Sequence, residues 1–144
     1  MNKVAIVYWS GSGNTEAMAN AIKTGVEAAG AQADLFFVSD FDVASADNYD
    51  GLILGCPAMG AETLEEGEFQ PVYDELEGSL KGKPVALFGS YGWGTGEWME
   101  TWQQQVTDAG AELFEDKGLI INEAPDDDGL KECEEFGKKF AQSK

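Results

Sequence analysis

Short apolar runs alternate with amphipathic stretches along the whole chain, and this alternation predicts its secondary structure. The apolar runs predict buried strands, the fifth of them broken in two, at residues 4–9, 33–38, 51–56, 84–89 and 113–114 with 118–122. Apolar residues at helical spacing predict four helices at residues 14–29, 69–80, 97–109 and 129–142. In the third helix this spacing places Trp98 and Trp102 in the core or on a helix face, and neither is expected to contact a ligand.

Strands that are apolar on both faces and separated by helices are typical of a parallel sheet covered on both sides. Right-handed crossovers then favour a doubly wound α/β sandwich of three layers, and 144 residues suffice for one domain, 1–144. In such sheets ligands bind at the carboxyl ends of the strands. The loops there, residues 10–15, 57–68 and 90–96, are rich in glycine and small residues.

The charge of the chain excludes several functions. It has 27 acidic residues against 9 basic ones, for a net charge of −18, and its sequence contains neither Arg nor His. Nucleic acids and anionic membranes need basic contacts, so neither is an expected partner. Without His, the usual general base and metal ligand is missing, so any chemistry is expected to come from a bound cofactor. Cys56 and Cys133 lack metal-site spacing and are expected to be buried thiols in a cytoplasmic protein.

The first of the three loops, Ser-Gly-Ser-Gly-Asn-Thr at residues 10–15, directly follows a predicted strand and opens a helix. Backbone N–H groups and the positive end of the helix dipole suit a phosphate there. The loop lacks the Gly-Lys-Ser/Thr sequence of loops that bind nucleoside triphosphates, which excludes that class of site. Glu16 stands where a dinucleotide-binding fingerprint has its third glycine, which excludes that class as well. Taken alone, the pattern also fits an ordinary capped helix.

Three motifs in order, at residues 8–16, 55–60 and 88–94, resemble the FMN-binding loops of short-chain flavodoxins. The middle motif reads Gly-Cys-Pro-Ala-Met-Gly, which is similar to the clostridial and related anaerobe branch, and the likeness continues to residues 135–139. The resemblance implies a flavodoxin-like fold, a five-stranded parallel sheet in the order 2-1-3-4-5 with helices on both faces. It also implies bound FMN.

Carried over residue by residue, the resemblance assigns a role to each loop. Phosphate-binding side chains would be Ser10, Ser12, Asn14 and Thr15, with close backbone approach at Gly11 and Gly13. Trp9 would line the phosphate and ribityl side. Met59 and Trp93 would cover the two faces of the flavin, and Glu62 would accept a hydrogen bond from its pyrimidine edge. Ser90, Tyr91 and Gly92 would supply backbone contacts to the same edge of the ring. The remaining predicted contacts are Pro57, Ala58, Gly60, Ala61 and Gly89.

The implied function is a low-potential one-electron carrier, whose FMN cycles between oxidised, semiquinone and hydroquinone forms and which turns over no substrate of its own. Negative charge would hold the second potential low. Expected partners are redox enzymes with basic docking surfaces, reductases or ferredoxin-type proteins, which would meet a monomer at the acidic rim formed by Glu62, Glu65, Glu66 and Glu68.

Two residues depart from the family pattern. Ala61 stands where relatives carry Asp, Asn, Ser or Gly, and a positive φ there would cost about 1 kcal/mol. We therefore expect a semiquinone that is less stabilised than in an Ala61→Gly variant. Pro57 removes a backbone donor on the ribityl side.

Three other functions fit the sequence less well. An FMN-dependent oxidoreductase of the same fold would need room for a substrate over the ring, which short loops and the bulky Met59 and Trp93 disfavour. A phosphoacceptor domain would need acidic residues after the first strand and an Asp after the third, where Ser10 and Cys56-Pro57 stand. A pure interaction module would leave the three glycine-rich loops unexplained.

Overall fold

The computed structural model describes residues 1–60 and 62–143. In these ranges the strands are β1 Lys3–Tyr8, β2 Gln32–Phe37, β3 Gly51–Gly55, β4 Pro84–Tyr91, β5 Glu112–Leu113 and β6 Leu119–Asn122. The α-helices are α1 Asn14–Ala28, α2 Phe69–Leu76, α3 Glu97–Asp108 and α4 Asp127–Gln142. Short 3-10 turns follow β2, precede β3, follow α2 and separate β5 from β6.

All described strand pairs are parallel, and the strand order is β2-β1-β3-β4-β5, with β6 also paired to β4. The predicted order is therefore confirmed. The predicted break in the fifth strand is confirmed as well, because β5 pairs with the start of β4 and β6 with its end. Glu115 and Asp116, both with positive φ, form the turn that interrupts it.

Each face of the sheet is covered by its own apolar core, as two-sided apolar strands require. Side chains of α1 and α4, among them Met18, Ile22 and Phe140, pack on one face. Those of α2 and α3, including Phe69 and Trp102, pack on the other. Trp98 and Trp102 are both core residues, which is the first of the two positions that their spacing allowed.

Three elements differ from their predicted bounds by two residues or more, and the others differ by one residue at one or both ends. The first of the three is helix α4, which begins at Asp127 instead of residue 129. Helix α2 ends at Leu76, and the chain continues as a 3-10 turn, Glu77–Ser79, instead of a helix to residue 80. Strand β4 runs to Tyr91 instead of residue 89, because Ser90 and Tyr91 pair with Ile121 and Asn122 of β6. Ser90 and Tyr91, which were expected to begin the third loop, consequently belong to the sheet, and strand pairing holds their backbone.

Cys56 and Cys133 are both buried, and neither forms a disulfide within the described chain. No helix in residues 1–60 and 62–143 is both long and apolar enough to cross a membrane. The same residues contain no group of three or more His, Cys, Asp or Glu side chains that could hold a metal ion.

Candidate functional site

A cavity of about 330 Å³ lies at the carboxyl ends of β1, β3 and β4, where the three glycine-rich loops meet. A second groove, of about 560 Å³, runs between α3, β6 and α4. The second groove is larger, but it is lined by side chains of both charges and by no residue of the first two glycine-rich loops. The smaller cavity is in the size range of ligand pockets and at the position where such sheets bind ligands.

Twelve of the predicted site residues line this cavity together. They are Trp9, Ser10, Gly11, Ser12, Asn14, Thr15, Pro57, Ala58, Met59, Ser90, Tyr91 and Gly92. Of the others, Gly13, Gly60, Glu62, Gly89 and Trp93 lie in the same loops or strand ends without lining the cavity. Ala61 lies outside the described residues, so the expectation about its strain stays a prediction.

The first loop is shaped by the Ser10 hydroxyl. Its oxygen accepts the N–H groups of Gly13 and Glu16, each at 3.2 Å, and thereby caps the start of α1. Among the described residues its own proton meets no acceptor, so it can be donated to an anion. Gly13 precedes the helix with φ 97°, a conformation that favours glycine. The loop therefore agrees with both interpretations of its sequence, a helix cap and an anion site, because it caps the helix and also leaves hydrogen-bond donors facing the cavity.

The Trp9 indole is fixed beside this loop. Its Nε1 donates to Glu68 Oε1 at 3.1 Å, which ties the first loop to the end of the second. A Cβ at Gly11 would lie 2.9 Å from the indole Cη2, so glycine is what allows the ring to lie over the loop backbone. Trp9 thus forms one wall of the cavity and is not a core residue.

Thr15 and Ser90 connect the first loop to the third. Their hydroxyl oxygens are 2.9 Å apart, and the residues are 1% and 5% exposed. They are the only buried polar residues in the described part of the chain, and both line the cavity. Ser90 is also held by its backbone, because its carbonyl accepts the Ala58 N–H at 3.0 Å.

The second loop contains a tight turn. Met59 and Thr63 exchange two backbone hydrogen bonds, of 2.9 and 3.1 Å, and Gly60 and Glu62 on either side of Ala61 have φ values of 41° and 55°. Met59 is half-buried and faces the cavity. These two hydrogen bonds thus hold the Met59 backbone beside that of Thr63.

Glu62 points from this turn to the third loop. Its Oε1 accepts the Gly96 N–H at 3.2 Å, and a Cβ at Gly94 would lie 2.6 Å from the same oxygen. The carboxylate is therefore bonded within the protein in this structure, and its predicted contact with the pyrimidine edge stays a prediction.

Glu65 anchors the other end of the second loop. Its N–H donates to Cys56 Sγ at 3.3 Å, and its carboxylate accepts the N–H groups of Gly67, Glu68 and Phe69 at 2.7–2.8 Å. Burial raises the pKa of Glu65, but the three N–H groups outweigh this and the pKa is lowered overall. Burial also raises the pKa of the Cys56 thiol to about 12, so a neutral thiol lies beneath the loop.

The third loop exposes Trp93 between two glycines. It is 72% exposed and is the one exposed large hydrophobic side chain of the described residues. An exposed indole at the mouth of a cavity is a surface for another flat apolar group. Gly89 lies deeper, where a Cβ would come 2.2 Å from the Cys56 carbonyl oxygen. Its role in the described structure is close packing below the cavity.

Two residues of the site were not predicted. Asn122 Nδ2 donates to the carbonyls of Tyr91 and Gly92 at 3.2 and 2.9 Å, and the Glu123 N–H donates to Tyr91 at 2.6 Å. Glu123 lines the cavity and has a φ of 57°. The available signal was their position, since polar residues directly after a predicted strand lie at the carboxyl edge of the sheet.

Comparison with known proteins identifies the family to which this chain belongs. Residues 6–137 match the profile of the family described as Flavodoxin. The chain belongs to the flavodoxin family. It is 49% identical over 140 residues to a flavodoxin of Megasphaera elsdenii, covering 97% of this chain and 99% of that protein, and 46% identical over 136 residues to one of Clostridium beijerinckii, covering 94% and 97%.

The fold agrees with this assignment. The solution structure of two-electron reduced Megasphaera elsdenii flavodoxin superposes with a TM-score of 0.88, covering 96% of this chain and 98% of that one. The resemblance to the clostridial type of short-chain flavodoxin is therefore confirmed. As a flavodoxin the chain binds FMN, carries electrons between redox partner proteins and has no substrate turnover of its own.

Proposed function

We propose that FMN binds in the cavity at the ends of β1, β3 and β4, with its phosphate on residues 10–15 and its ring between Met59 and Trp93. The observation that carries this proposal is the convergence of the three loops on one cavity of about 330 Å³. The cavity offers neutral hydroxyl and N–H donors at one end and apolar walls at the other, which is the chemistry that a phosphate joined to a flat ring requires.

The phosphate end relies entirely on neutral donors. The chain contains no Arg, and none of the lysines that the structure describes lines the cavity. The donors are the N–H groups at the start of α1 and the hydroxyls of Ser10, Ser12 and Thr15. Hydrogen bonds to a charged group contribute about 1.5–3 kcal/mol each, so several of them suffice to hold the anion without a cation.

The ring end relies on apolar contact. Trp93, which is mostly exposed, gains a partner when a flat ring stacks on it, and Met59 covers the opposite face with a polarisable thioether. Tyr91 and Gly92 are held by Asn122, so the edge of the site is rigid before the ligand arrives. Pro57 and Ala58, which line the cavity between the two ends, complete its ribityl side.

When bound, FMN supplies one-electron redox chemistry; the chain's residues set its potential and exclude water from its faces. The net charge of −18 disfavours any further negative charge in the cavity, and Glu123 lies in the cavity wall itself. We propose a low second potential on this ground.

The acidic rim of Glu62, Glu65, Glu66 and Glu68 supports a docking surface for basic patches on reductases or ferredoxin-type partners. Glu66 and Glu68 are exposed, and the exposed Trp93 belongs to the adjacent loop. Attraction between opposite charges raises the rate of association without making the complex tight, so that the partners can separate quickly after electron transfer. The protein would act as a single-domain monomer, which leaves this surface free for a partner. Its two buried free thiols are typical of a reducing compartment, which supports a location in the cytoplasm.

The test is a stepwise dithionite titration of the purified protein, followed by its visible spectrum. We expect a yellow protein that is reduced in two separate one-electron steps, the second at low potential. A colourless protein that refuses added FMN would overturn the assignment of all three loops. Reduction in a single two-electron step would favour the oxidoreductase instead.

A further inference from the structure

The buried hydroxyl pair of Thr15 and Ser90 is unusual for its position. Thr15 lies in the first turn of α1 and Ser90 near the end of β4, 75 residues later in the chain. Both line the cavity, yet they are 1% and 5% exposed, and their oxygens are 2.9 Å apart. The sequence resemblance gives Ser90 a backbone contact only, so its hydroxyl has had no role so far.

We infer that the Ser90 hydroxyl is a positioning group for the phosphate, acting through Thr15. This inference rests on the proposed function, because it takes residues 10–15 as the phosphate site. A hydroxyl group has one proton to donate, and a phosphate oxygen can only accept. Thr15 can therefore donate to the phosphate only if its proton is not already given to Ser90.

The arrangement that satisfies all groups is a chain of hydrogen bonds. Ser90 donates to Thr15 Oγ1, and Thr15 donates to the phosphate. Each bond in such a chain polarises the next, which strengthens the terminal donor where little water competes. Without Ser90, the Thr15 hydroxyl is no longer oriented by a partner and is free to turn away from the phosphate.

The backbone around Ser90 gives this chain its rigidity. Ser90 pairs with Ile121 of β6, and its carbonyl accepts the Ala58 N–H at 3.0 Å. Its Oγ is therefore held by the sheet, not by a mobile loop. Ser12, by contrast, is an exposed hydroxyl of the same phosphate loop with no bond to Ser90, so it serves as a matched control.

The experiment measures affinities of the apoprotein for FMN and for riboflavin, which lacks the phosphate. The variants are Ser90→Ala, Thr15→Val, Ser12→Ala, and the two double variants that combine Ser90→Ala with each of the others. Circular dichroism and thermal melts check folding. If Ser90→Ala does not fold, Ser90→Cys replaces it throughout, because a thiol of similar shape is a much weaker donor.

We expect Ser90→Ala to weaken FMN binding about tenfold and riboflavin binding less than twofold, since the lost interaction belongs to the phosphate. In the Thr15→Val background, Ser90→Ala should weaken FMN binding less than twofold, because the intermediate donor is already gone. In the Ser12→Ala background its full effect should remain. Thr15→Ser, which keeps the hydroxyl, should retain most of the affinity for FMN.

The possible outcomes separate the inference from the proposed function. Equal losses of FMN and riboflavin affinity in Ser90→Ala would show that Ser90 serves the ring or the fold, and would overturn the inference alone. Additive effects of Ser90→Ala and Thr15→Val would do the same. If the unmodified protein itself bound riboflavin as tightly as FMN, the phosphate site of the proposed function would fall, and the inference with it.

Discussion

Replacing Glu65 with alanine should destabilise the fold through the loss of a helix cap. In the structure, the Glu65 carboxylate accepts the N–H groups of Gly67, Glu68 and Phe69, which lie at the start of α2. These N–H groups have no partner within the helix, and Glu68, at the cap position, makes no side-chain cap of its own. Removal of such a cap costs about 1–2 kcal/mol.

The assay is thermal and urea unfolding of Glu65→Ala beside Glu66→Ala. A loss of 1 kcal/mol corresponds to about 4 °C for a protein of this size, so the expected decrease in Tm is about 4–8 °C. Glu66 is exposed, and its carboxylate accepts no hydrogen bond from the described residues, so its variant should change Tm by less than about 2 °C. Equal changes in both variants would show that net charge, not capping, is responsible.

The same interaction predicts a pH dependence. The pKa of Glu65 in the folded protein is lowered from its ordinary value of 4.5, so the group contributes stability above that pH. This contribution is lost as the pH falls through the folded pKa, because the protonated carboxyl accepts fewer hydrogen bonds. The charge-dependent part of the difference between the protein and Glu65→Gln should therefore shrink below about pH 4. A difference independent of pH from 7 to 3 would refute the reasoning.

Three further predictions concern the site and the residues packed beneath it. Gly89→Ala would place a Cβ 2.2 Å from the Cys56 carbonyl and should lower the free energy of unfolding by about 2 kcal/mol in urea, whereas Gly92→Ala, in open space, should be near neutral. Glu123→Gln should raise the second one-electron potential by about 30–60 mV in a redox titration, and an unchanged value would place this carboxylate too far from the ring to matter. Cys56 and Cys133, both buried with pKa values raised to about 12, should resist iodoacetamide at pH 8 until the protein is unfolded.

Periodicity in the sequence was sufficient to predict the sheet and its two apolar cores. Runs of apolar residues on both faces predicted the parallel strands, whereas helical spacing left Trp98 and Trp102 either in the core or on a helix face, and the structure places both in the core. The local sequence pattern did not predict an element's bounds where pairing with a distant segment determines them. Nothing in residues 84–91 alone indicates that β4 continues to Tyr91, because that extension depends on pairing with β6, some thirty residues later.

The candidate site shows the same division. The positions of the loops together with the family resemblance were enough to name every described residue that lines the cavity except Glu123, since strand ends of a parallel sheet lie at one edge. The contacts that hold these residues in place were not predictable. The Thr15–Ser90 bond spans 75 residues, and the bond from Glu62 to the Gly96 N–H depends on how two loops lie against each other.

The electrostatics of the site connect binding to redox potential. A phosphate held by neutral donors keeps its full negative charge, and in a chain of net charge −18 with no Arg that charge adds to the field around the ring. Binding must then rest on hydrogen bonds and stacking, while every uncompensated charge makes a further electron harder to add. Replacing a phosphate donor by a cation would strengthen binding and raise the potential together. Because no cationic side chain among the described residues lines the cavity, we expect a low second potential at some expense of affinity, and higher salt, which screens these charges, should raise both quantities.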